Sequence, residues 1–294
     1  MGGTAAAGAV TLAMALVVGG CSAGEPVPEG LVLKASGAPP APYDGPLKAK
    51  TPSWIGEDSP LEGGGAAVRA LECAGKPMQA GTGGDWGSGD GAYGAPDQAL
   101  AAYVGDQFWR ILPERGYRAE RRTKSRVLYS YDVGGRTRAA VIVVKDRRKK
   151  PGWDMETFAM CDPSEFRAKE RAGLEMRVWE DRRGRPVSTS LVESSMGPEH
   201  CDWQSVEFLY LDRAKDPHDR GAQYLRDPDG QLTDFEGLVS SYARDVPLPA
   251  DAVDTGYRHD GRELWLARDR SVAYVKTDGR VERWPGTKEP VACM

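Results

Sequence analysis

The chain is poor in the residues that mark metal and hydrolase chemistry. It has only three histidines, and none is paired at the His-x3-His spacing that is typical of metal ligands. The Gly-x-Ser-x-Gly pattern of many serine hydrolases does not occur, although a Ser-His-Asp triad depends on geometry and stays open. We therefore expect no metal and no cofactor, and we favour binding over catalysis.

An excess of positive charge is also absent. The 294 residues include 39 Lys or Arg and 43 Asp or Glu, which gives a net charge of −4. This balance argues against a nucleic-acid partner, because such proteins usually carry a basic surface. Hydrophobic residues make up 40% of the chain, enough for one large core or two modest ones.

The N-terminus lacks charge before Glu25, and residues 4–21 form an apolar, glycine-rich stretch. It is short for a membrane span, which needs about 20 apolar residues, and is typical of an export signal. Val18-Gly19-Gly20-Cys21 resembles a bacterial lipobox. The pattern predicts a lipoprotein signal peptide over 1–20 and a lipidated Cys21 that anchors the protein to the outer face of the cell membrane. An uncleaved anchor and ordinary secretion are the alternatives.

Residues 21–62 predict a proline-rich tether. They lack apolar periodicity, and prolines favour an extended chain. The alternative is that two apolar stretches, 31–33 and 54–55, pack onto the domain. The eight prolines are Pro26, Pro28, Pro39, Pro40, Pro42, Pro46, Pro52 and Pro60.

The four remaining cysteines are expected to form disulfides, because the chain is exported and their number is even. Three pairings are possible. The spacing favours Cys73 with Cys161, 88 residues apart, and Cys201 with Cys293, 92 residues apart. Cys201 has a histidine and an aspartate as neighbours, which can ligate zinc or activate a thiol, but an oxidised structural cysteine is favoured.

The tripeptide Gly-Tyr-Arg stands at 116–118 and again at 256–258, once inside each favoured cysteine pair. Aromatic and β-branched runs separated by Gly or Asp turns follow both copies and predict β-hairpins. We therefore predict an α+β fold of two tandem related modules, 63–192 and 193–294. Each is dominated by antiparallel hairpins, carries one helix and is closed by its own disulfide.

The two helices are predicted ahead of these strands. Residues 96–104 begin with a proline and an acidic residue and have apolar side chains at helical spacing. Residues 232–242 carry apolar side chains on one helical face. Between the modules, 175–192 predict a further hairpin and 205–211 a strand.

Positive charge is concentrated between residues 110 and 150, where fourteen Lys or Arg stand against four Asp or Glu, a local net charge of +10. On an exported protein, this segment can bind an anionic envelope polymer or phospholipid headgroups. A solvated loop that protects a sheet edge from aggregation is the alternative. The candidate binding residues are Lys145, Arg147, Arg148, Lys149 and Lys150.

A glycine-rich segment, 81–94, holds two weaker motifs. Residues 89–94 match a dinucleotide-binding pattern, but no strand leads into them, so a surface loop is expected. Asp85 and Asp90 can bind calcium, yet the alternating ligands of an EF-hand are absent. Neither motif predicts a cofactor.

Several segments of the mature chain occur together with the lipobox: Ala70–Cys73, Gly116–Arg118, Cys161–Pro163, Gly197–Gln204 and Val281–Pro285. This combination resembles a family of uncharacterised actinobacterial lipoproteins and covers nearly the whole mature chain. The resemblance implies a surface-tethered protein and supplies no catalytic residues.

We expect a lipid-anchored, extracytoplasmic protein that binds an envelope polymer or another exported protein. The alternatives are an envelope hydrolase with its site between the modules and an accessory subunit that docks an exported protein. A deep cleft holding a carboxylate or histidine with a displaced pKa would favour the hydrolase. A shallow basic face would favour polymer binding, and a flat apolar patch would favour a protein partner.

Overall fold

The computed structural model describes residues 42–48, 64–82, 93–105, 111–146, 152–212, 221–232 and 235–291. Strands in three antiparallel sheets dominate these residues, and helices are few. The predicted predominance of antiparallel strands is confirmed. No helix in these ranges is long and apolar enough to cross a bilayer.

Five strands form the first sheet: β1 (Gln79–Thr82), β2 (Tyr117–Arg122), β3 (Arg126–Val133), β4 (Arg136–Asp146) and β5 (Gly152–Met160). Their order is β1-β5-β4-β3-β2, so β2 to β5 are a simple meander and β1 adds to the far edge. Gly134 and Gly135 join β3 to β4 with φ values of 60° and 77°. Two successive positive φ angles are what a tight two-residue hairpin requires, and glycine adopts them without strain.

Helices cover both faces of this sheet. Helix α1 (Gly65–Ala70) packs on one face, and α2 (Pro96–Gly105), which confirms the first predicted helix, packs on the other. Residues 42–48, which fall within the predicted tether, lie beside α1, where Leu47 is buried. The backbone N–H of Tyr43 donates to the Glu120 carboxylate of β2, which holds this segment on the sheet.

Eight further strands form two four-stranded sheets: β6 (Arg177–Val178), β7 (Val192–Met196), β8 (Glu207–Leu211) and β9 (Ala222–Arg226) in one, and β10 (Val253–His259), β11 (Arg262–Leu266), β12 (Val272–Thr277) and β13 (Arg280–Pro285) in the other. One core cluster joins the inner faces of the two sheets. Trp179 and Trp284 are fully buried in it. The two sheets therefore form a sandwich.

The structure describes Leu232 and residues 235–242 of the segment 232–242, and it shows no helix there. The prediction of a helix is therefore wrong for these residues. These residues form turns and one isolated bridge, between Leu238 and Thr287 just after β13, and the chain then meets the edge of β13 at Ala243. The N–H of Val239 donates to the Gly286 carbonyl at 3.0 Å, and the N–H of Ala243 donates to the Arg283 carbonyl at 3.1 Å. The segment pairs with β13 because the edge of that strand would otherwise expose unpaired backbone groups.

The first sheet is tied to the sandwich at the end of β5. Cys161 follows β5 and is bonded to Cys73, which confirms the first predicted disulfide. The next residue, Asp162, is buried and accepts hydrogen bonds from the Thr189 N–H at 3.0 Å, the Thr189 hydroxyl at 2.9 Å and the Ser188 hydroxyl at 2.7 Å. Asp162 thus holds the chain that enters β7.

The hairpin predicted for residues 175–192 is present only around its turn, because residues 189–191 form another turn where its second strand was predicted. Glu180 bridges to Pro186, and the turn between them is held by Asp181, whose carboxylate accepts the N–H groups of Arg183 and Arg185. Strand β6 pairs with β7, which begins at Val192, the last residue of the first predicted module. The second sheet therefore includes residues that precede 193.

Candidate functional site

A cleft of about 1070 Å³ opens beside β6. Its walls come from three distant parts of the chain: helix α3 (Ala168–Arg171) with the segment leading into β6, residues 196–204 after β7, and the turn between β10 and β11. Leu174, Val178 and Gly197 are buried and give the cleft an apolar floor.

Charged groups of both signs surround the cleft. Four carboxylates, two guanidinium groups and two histidines line it, together with two methionines. Carboxylates therefore outnumber guanidinium groups. The charged and histidine side chains are Glu175, Glu180, Glu199, Asp260, Arg171, Arg177, His200 and His259.

Helix α3 is short, and local contacts hold it in place as one wall. The Glu170 carboxylate accepts the Arg167 backbone N–H at 2.9 Å, which ties the first turn of the helix to the residue before it. The last residue of the helix, Arg171, lies 3.7 Å from a carboxylate oxygen of Glu180 in the hairpin after β6. This ion pair spans the cleft wall and connects the helix to the sandwich.

His259 is held through both of its ring nitrogens. Nδ1 lies 3.2 Å from the Val178 carbonyl oxygen, and Nε2 lies 3.3 Å from a carboxylate oxygen of Asp260. The ring packs at 5.6 Å, centroid to centroid, from that of the buried Trp179. His259 therefore fastens β10 to β6.

A buried carboxylate lies behind the cleft wall. Glu207 of β8 is 1% exposed and accepts hydrogen bonds from Arg177 at 2.7 Å and from Arg262 at 2.8 Å to each oxygen. Arg177 comes from β6 and Arg262 from β11, so one carboxylate holds strands of both sheets. Arg177 also lines the cleft, and its hydrogen bond to Glu207 of the sandwich fixes its position there.

A second cavity, of about 580 Å³, lies at the same end of the sandwich and is lined by Arg226, Arg262 and Arg280, among others. Arg226 donates to both oxygens of Glu282, at 2.8 and 3.1 Å. Burial alone would raise the pKa of the Glu282 carboxyl, but hydrogen bonds from Arg226, Trp284 and Tyr242 hold that pKa below its ordinary value. The acidic groups beside this cavity are thus largely occupied by arginine.

The cleft lining supplies carboxylate and imidazole groups but few other reactive side chains. Among the described residues that line it there is no Ser, Thr, Cys, Tyr or Lys, so these side chains supply no hydroxyl, thiol or amine nucleophile. His259 is engaged at both nitrogens. The cleft instead presents apolar surface with hydrogen-bonding groups at its edge, which is the usual composition of a ligand site.

No protein-family model, no curated protein and no solved structure matches this chain. Inference about its function therefore depends on the chemistry of its own surfaces.

The structure places the predicted cysteines in structural roles. Cys73 and Cys161 are bonded to each other, and Glu165 nearby accepts the Ala74 N–H at 2.7 Å. These three side chains lie close enough to suggest a metal site, but both sulfurs are occupied by the disulfide. Cys201 is also disulfide-bonded and offers no free thiol, and its neighbour His200 lines the cleft.

Other predicted site residues fall outside the described ranges. These are Cys21, Cys293, Arg147, Arg148, Lys149, Lys150, Asp85 and Asp90, with most of the 89–94 motif. Lys145 is described: it is exposed, and its ammonium lies 5.9 Å from the ring centroid of Trp153, its partner on β5. Lys145 therefore packs along an aromatic side chain as well as facing water.

The cleft itself was not predicted residue by residue. Its lining comes from 168–180, 196–204 and 259–260, which share no motif or spacing. One local signal existed: the Asp260-Gly261 pair is a typical hairpin turn, and its φ values of 46° and 76° confirm that geometry. That turn would have placed His259 at the end of a strand, but not its partners.

Proposed function

We propose that the protein is an extracytoplasmic binding protein that holds a component of the cell envelope in the cleft beside β6. The observation that carries this proposal is the cleft itself, whose volume of about 1070 Å³ combines an apolar floor with a rim of both charge signs. Such a site suits a ligand that has apolar and ionised parts. The described lining residues supply no hydroxyl, thiol or amine nucleophile, so a hydrolase site here would have to use the carboxylates or the histidines.

In this proposal, Cys21 carries the lipid anchor and residues before 42 connect it to the domain. The basic loop with Lys145, Arg147, Arg148, Lys149 and Lys150 makes a second contact with anionic envelope polymer or headgroups. The resemblance to actinobacterial lipoproteins supports this placement at the outer face of the membrane. An accessory role, in which the cleft docks an exported protein, is an outcome that the test below distinguishes.

Filling the cleft is expected to weaken envelope binding. Ala172 lines the cleft and is exposed, so Ala172→Trp inserts a large ring without disturbing a core. Lys169 is an exposed residue of α3 that does not line the cleft, so Lys169→Trp is the matched control. In co-sedimentation of the full-length protein with purified actinobacterial sacculi, we expect the Ala172→Trp dissociation constant to rise at least about fivefold and that of Lys169→Trp to stay within about twofold.

A further variant, in which residues 147–150 are all glutamine, tests the loop separately from the cleft. If the loop binds by charge, the affinity that this variant loses relative to the original protein should grow as the salt concentration is lowered. Equal binding by the Ala172→Trp and Lys169→Trp variants would contradict the cleft proposal. Release of soluble fragments from the sacculi would favour the hydrolase, and binding to a membrane protein without binding to sacculi would favour the accessory role.

Lipidation of Cys21 predicts that Cys21→Ser moves the protein from the membrane fraction to the soluble fraction. With Cys73 and Cys161 paired, the sequence leaves Cys21 and Cys293 as partners for the oxidised Cys201. A lipidated Cys21 cannot form that bond, so mapping of non-reduced peptides should join Cys201 to Cys293. Membrane retention of Cys21→Ser would instead favour an uncleaved anchor.

We also propose that the two meanders, β2 to β5 and β10 to β13, are copies of one ancestral unit. Each is a run of four sequential antiparallel strands with Gly-Tyr-Arg in or beside its first strand: Tyr117 begins β2, and Gly256 is the fourth residue of β10. Gly116 and Gly256 both have positive φ, at 98° and 82°, and the tyrosine after each packs on the adjacent core. Different elements pack on the two meanders. A helix packs on the first meander, and the β6–β9 sheet packs on the second.

A further inference from the structure

The second cavity lies at the end of the sandwich where the apolar core stops. In each of four strands, a polar residue that lines the cavity stands two or four positions from a residue of the core cluster, and therefore on the same face of the strand. The core residues are Tyr224, Leu264, Val275 and Trp284, and the polar residues are Arg226, Arg262, Thr277 and Arg280, in β9, β11, β12 and β13 respectively. The four polar side chains thus project from the inner faces of the two sheets.

The strand register sets three of these residues side by side. Arg262 is opposite Thr277, and Thr277 is opposite Arg280, so the threonine lies between two arginines on neighbouring strands. The Cβ atoms of directly opposite residues are about 5 Å apart, which is within reach of one small ligand. Arg226 lines the same cavity from the facing sheet. Hydrogen-bond donors therefore approach the cavity from both sheets.

Two carboxylates hold the arginines in place. Glu207 accepts hydrogen bonds from Arg177 and Arg262. Glu282 accepts hydrogen bonds at both of its oxygens from Arg226. The guanidinium groups of Arg226 and Arg262 are thus positioned before a ligand arrives, which reduces the entropy lost on binding.

Several donor groups at the cavity remain without a partner among the described residues. Arg262 uses only Nη1 in its bonds to Glu207, so its Nε and Nη2 are left, and Arg226 keeps Nη1. These nitrogens are not buried, so a ligand in the cavity can reach them. The exposed Arg280 side chain and the Thr277 hydroxyl make no hydrogen bond with any described residue.

Positive charge is in excess at this end of the sandwich. Glu207 is shared by two arginines, Glu282 is matched by one, and Arg280 has no acidic partner among the described residues. Asp278 also lines the cavity, from the exposed turn between β12 and β13. Four arginines therefore stand against three acids, an excess of one positive charge that favours an anionic ligand.

We propose that the second cavity binds the phosphoryl group of a phosphate ester. Such a group has three strong acceptor oxygens and, as a monoester, a charge of about −1.5 to −2 at neutral pH. Its oxygens point in several directions and can accept from arginines on both sheets, whereas the two oxygens of a carboxylate lie in one plane. A volume of about 580 Å³ exceeds the needs of the phosphoryl group and also admits a small polyol or sugar. The cavity shares no lining residue with the cleft beside β6, so this inference is independent of the function proposed for that cleft.

The test titrates the full-length protein in mild detergent with glycerol 3-phosphate, with acetate as the carboxylate comparator. Calorimetry should show binding of glycerol 3-phosphate that weakens as salt is raised, because opposite charges meet in the complex. Arg280→Gln should raise the dissociation constant at least about tenfold, because it removes a charged donor. Arg268→Gln removes the same charge from an exposed turn at the other end of β11, and it should leave the constant within about twofold.

A second titration distinguishes two sources of the phosphoryl group. Dihexanoyl phosphatidylglycerol, in the same detergent, presents a phosphoryl group on a lipid headgroup. Binding of this lipid alone, weakened by Arg280→Gln, would support the proposal with a lipid headgroup as the source. Binding of glycerol 3-phosphate, weakened in the same way, would support it with a soluble or polymer-borne ester as the source.

Arginine modification tests the same cavity in the unsubstituted protein. A saturating phosphate compound should protect Arg280 from phenylglyoxal and leave Arg268 reactive, as read by mass spectrometry of the peptides. The proposal is overturned if neither phosphate compound binds at millimolar concentration, or if the Arg280→Gln and Arg268→Gln variants bind alike. It is also overturned if acetate binds as tightly as the phosphate compounds, or if Arg280 is not protected.

Discussion

Replacing Cys73 and Cys161 by alanine is expected to lower the free energy of unfolding by about 4 to 5 kcal/mol. The disulfide closes a loop of 88 residues, and a cross-link of that length removes much of the conformational freedom of the unfolded chain. It spans from the segment after α1 to the end of β5, so it encloses nearly all of the first sheet. A fall in melting temperature on the order of 10 °C should accompany the loss.

Reduction opens this loop without removing side-chain volume, but it also opens the bridge of Cys201, so the control compares the two proteins when both are reduced. Denaturant unfolding of the reduced protein and of the reduced Cys73→Ala/Cys161→Ala variant should give the same free energy of unfolding to within about 1 kcal/mol. If both retain the stability of the oxidised protein, the loop-closure account of this disulfide is wrong.

The second large effect is expected at Glu207, where Glu207→Gln should cost about 2 kcal/mol. The substitution keeps the shape of the side chain but removes the negative charge that Arg177 and Arg262 share. Glu207 is 1% exposed, so water does not reach the carboxylate position, whereas Arg177 and Arg262 are 32% and 25% exposed and keep part of their hydration. The sandwich, which this carboxylate links across its two sheets, should therefore unfold at lower denaturant.

Asp212→Asn provides the matched comparison. Asp212 also pairs with an arginine, Arg270, but the two side chains are 24% and 45% exposed. Loss of that pair should cost less than about 1 kcal/mol, because water screens and replaces it. A variant with Leu at 177, 207 and 262 should recover much of the Glu207→Gln loss, since no buried charge is then left alone. If Glu207→Gln and Asp212→Asn lower the free energy of unfolding by similar small amounts, burial does not strengthen the Glu207 network.

Local patterns in the chain predicted most of the secondary structure, because each pattern acts between near neighbours. Pro96 and the apolar spacing after it begin a helix wherever that segment packs. Gly134-Gly135 and Asp278-Gly279 have the positive φ angles that tight hairpins need, and both lie between paired strands.

Residues 232–242 show where such patterns fail. The apolar spacing of this segment fits a helix, but Gly237 weakens that preference and the free edge of β13 offers backbone partners. Which alternative wins depends on β13, more than 40 residues later in the chain. The apolar spacing of residues 232–242 alone does not show that a later segment competes for their backbone groups.

Composition, hairpin turns and cysteine spacing were thus enough to establish a mainly antiparallel protein, its helix at 96–105 and the Cys73–Cys161 bond, because these features depend on chain chemistry and short range. The cleft and the Glu207 network were decided by the packing and register of the sheets. Each combines residues from strands or segments that are distant in sequence, and a shift of one residue in strand register would turn every such side chain to the opposite face.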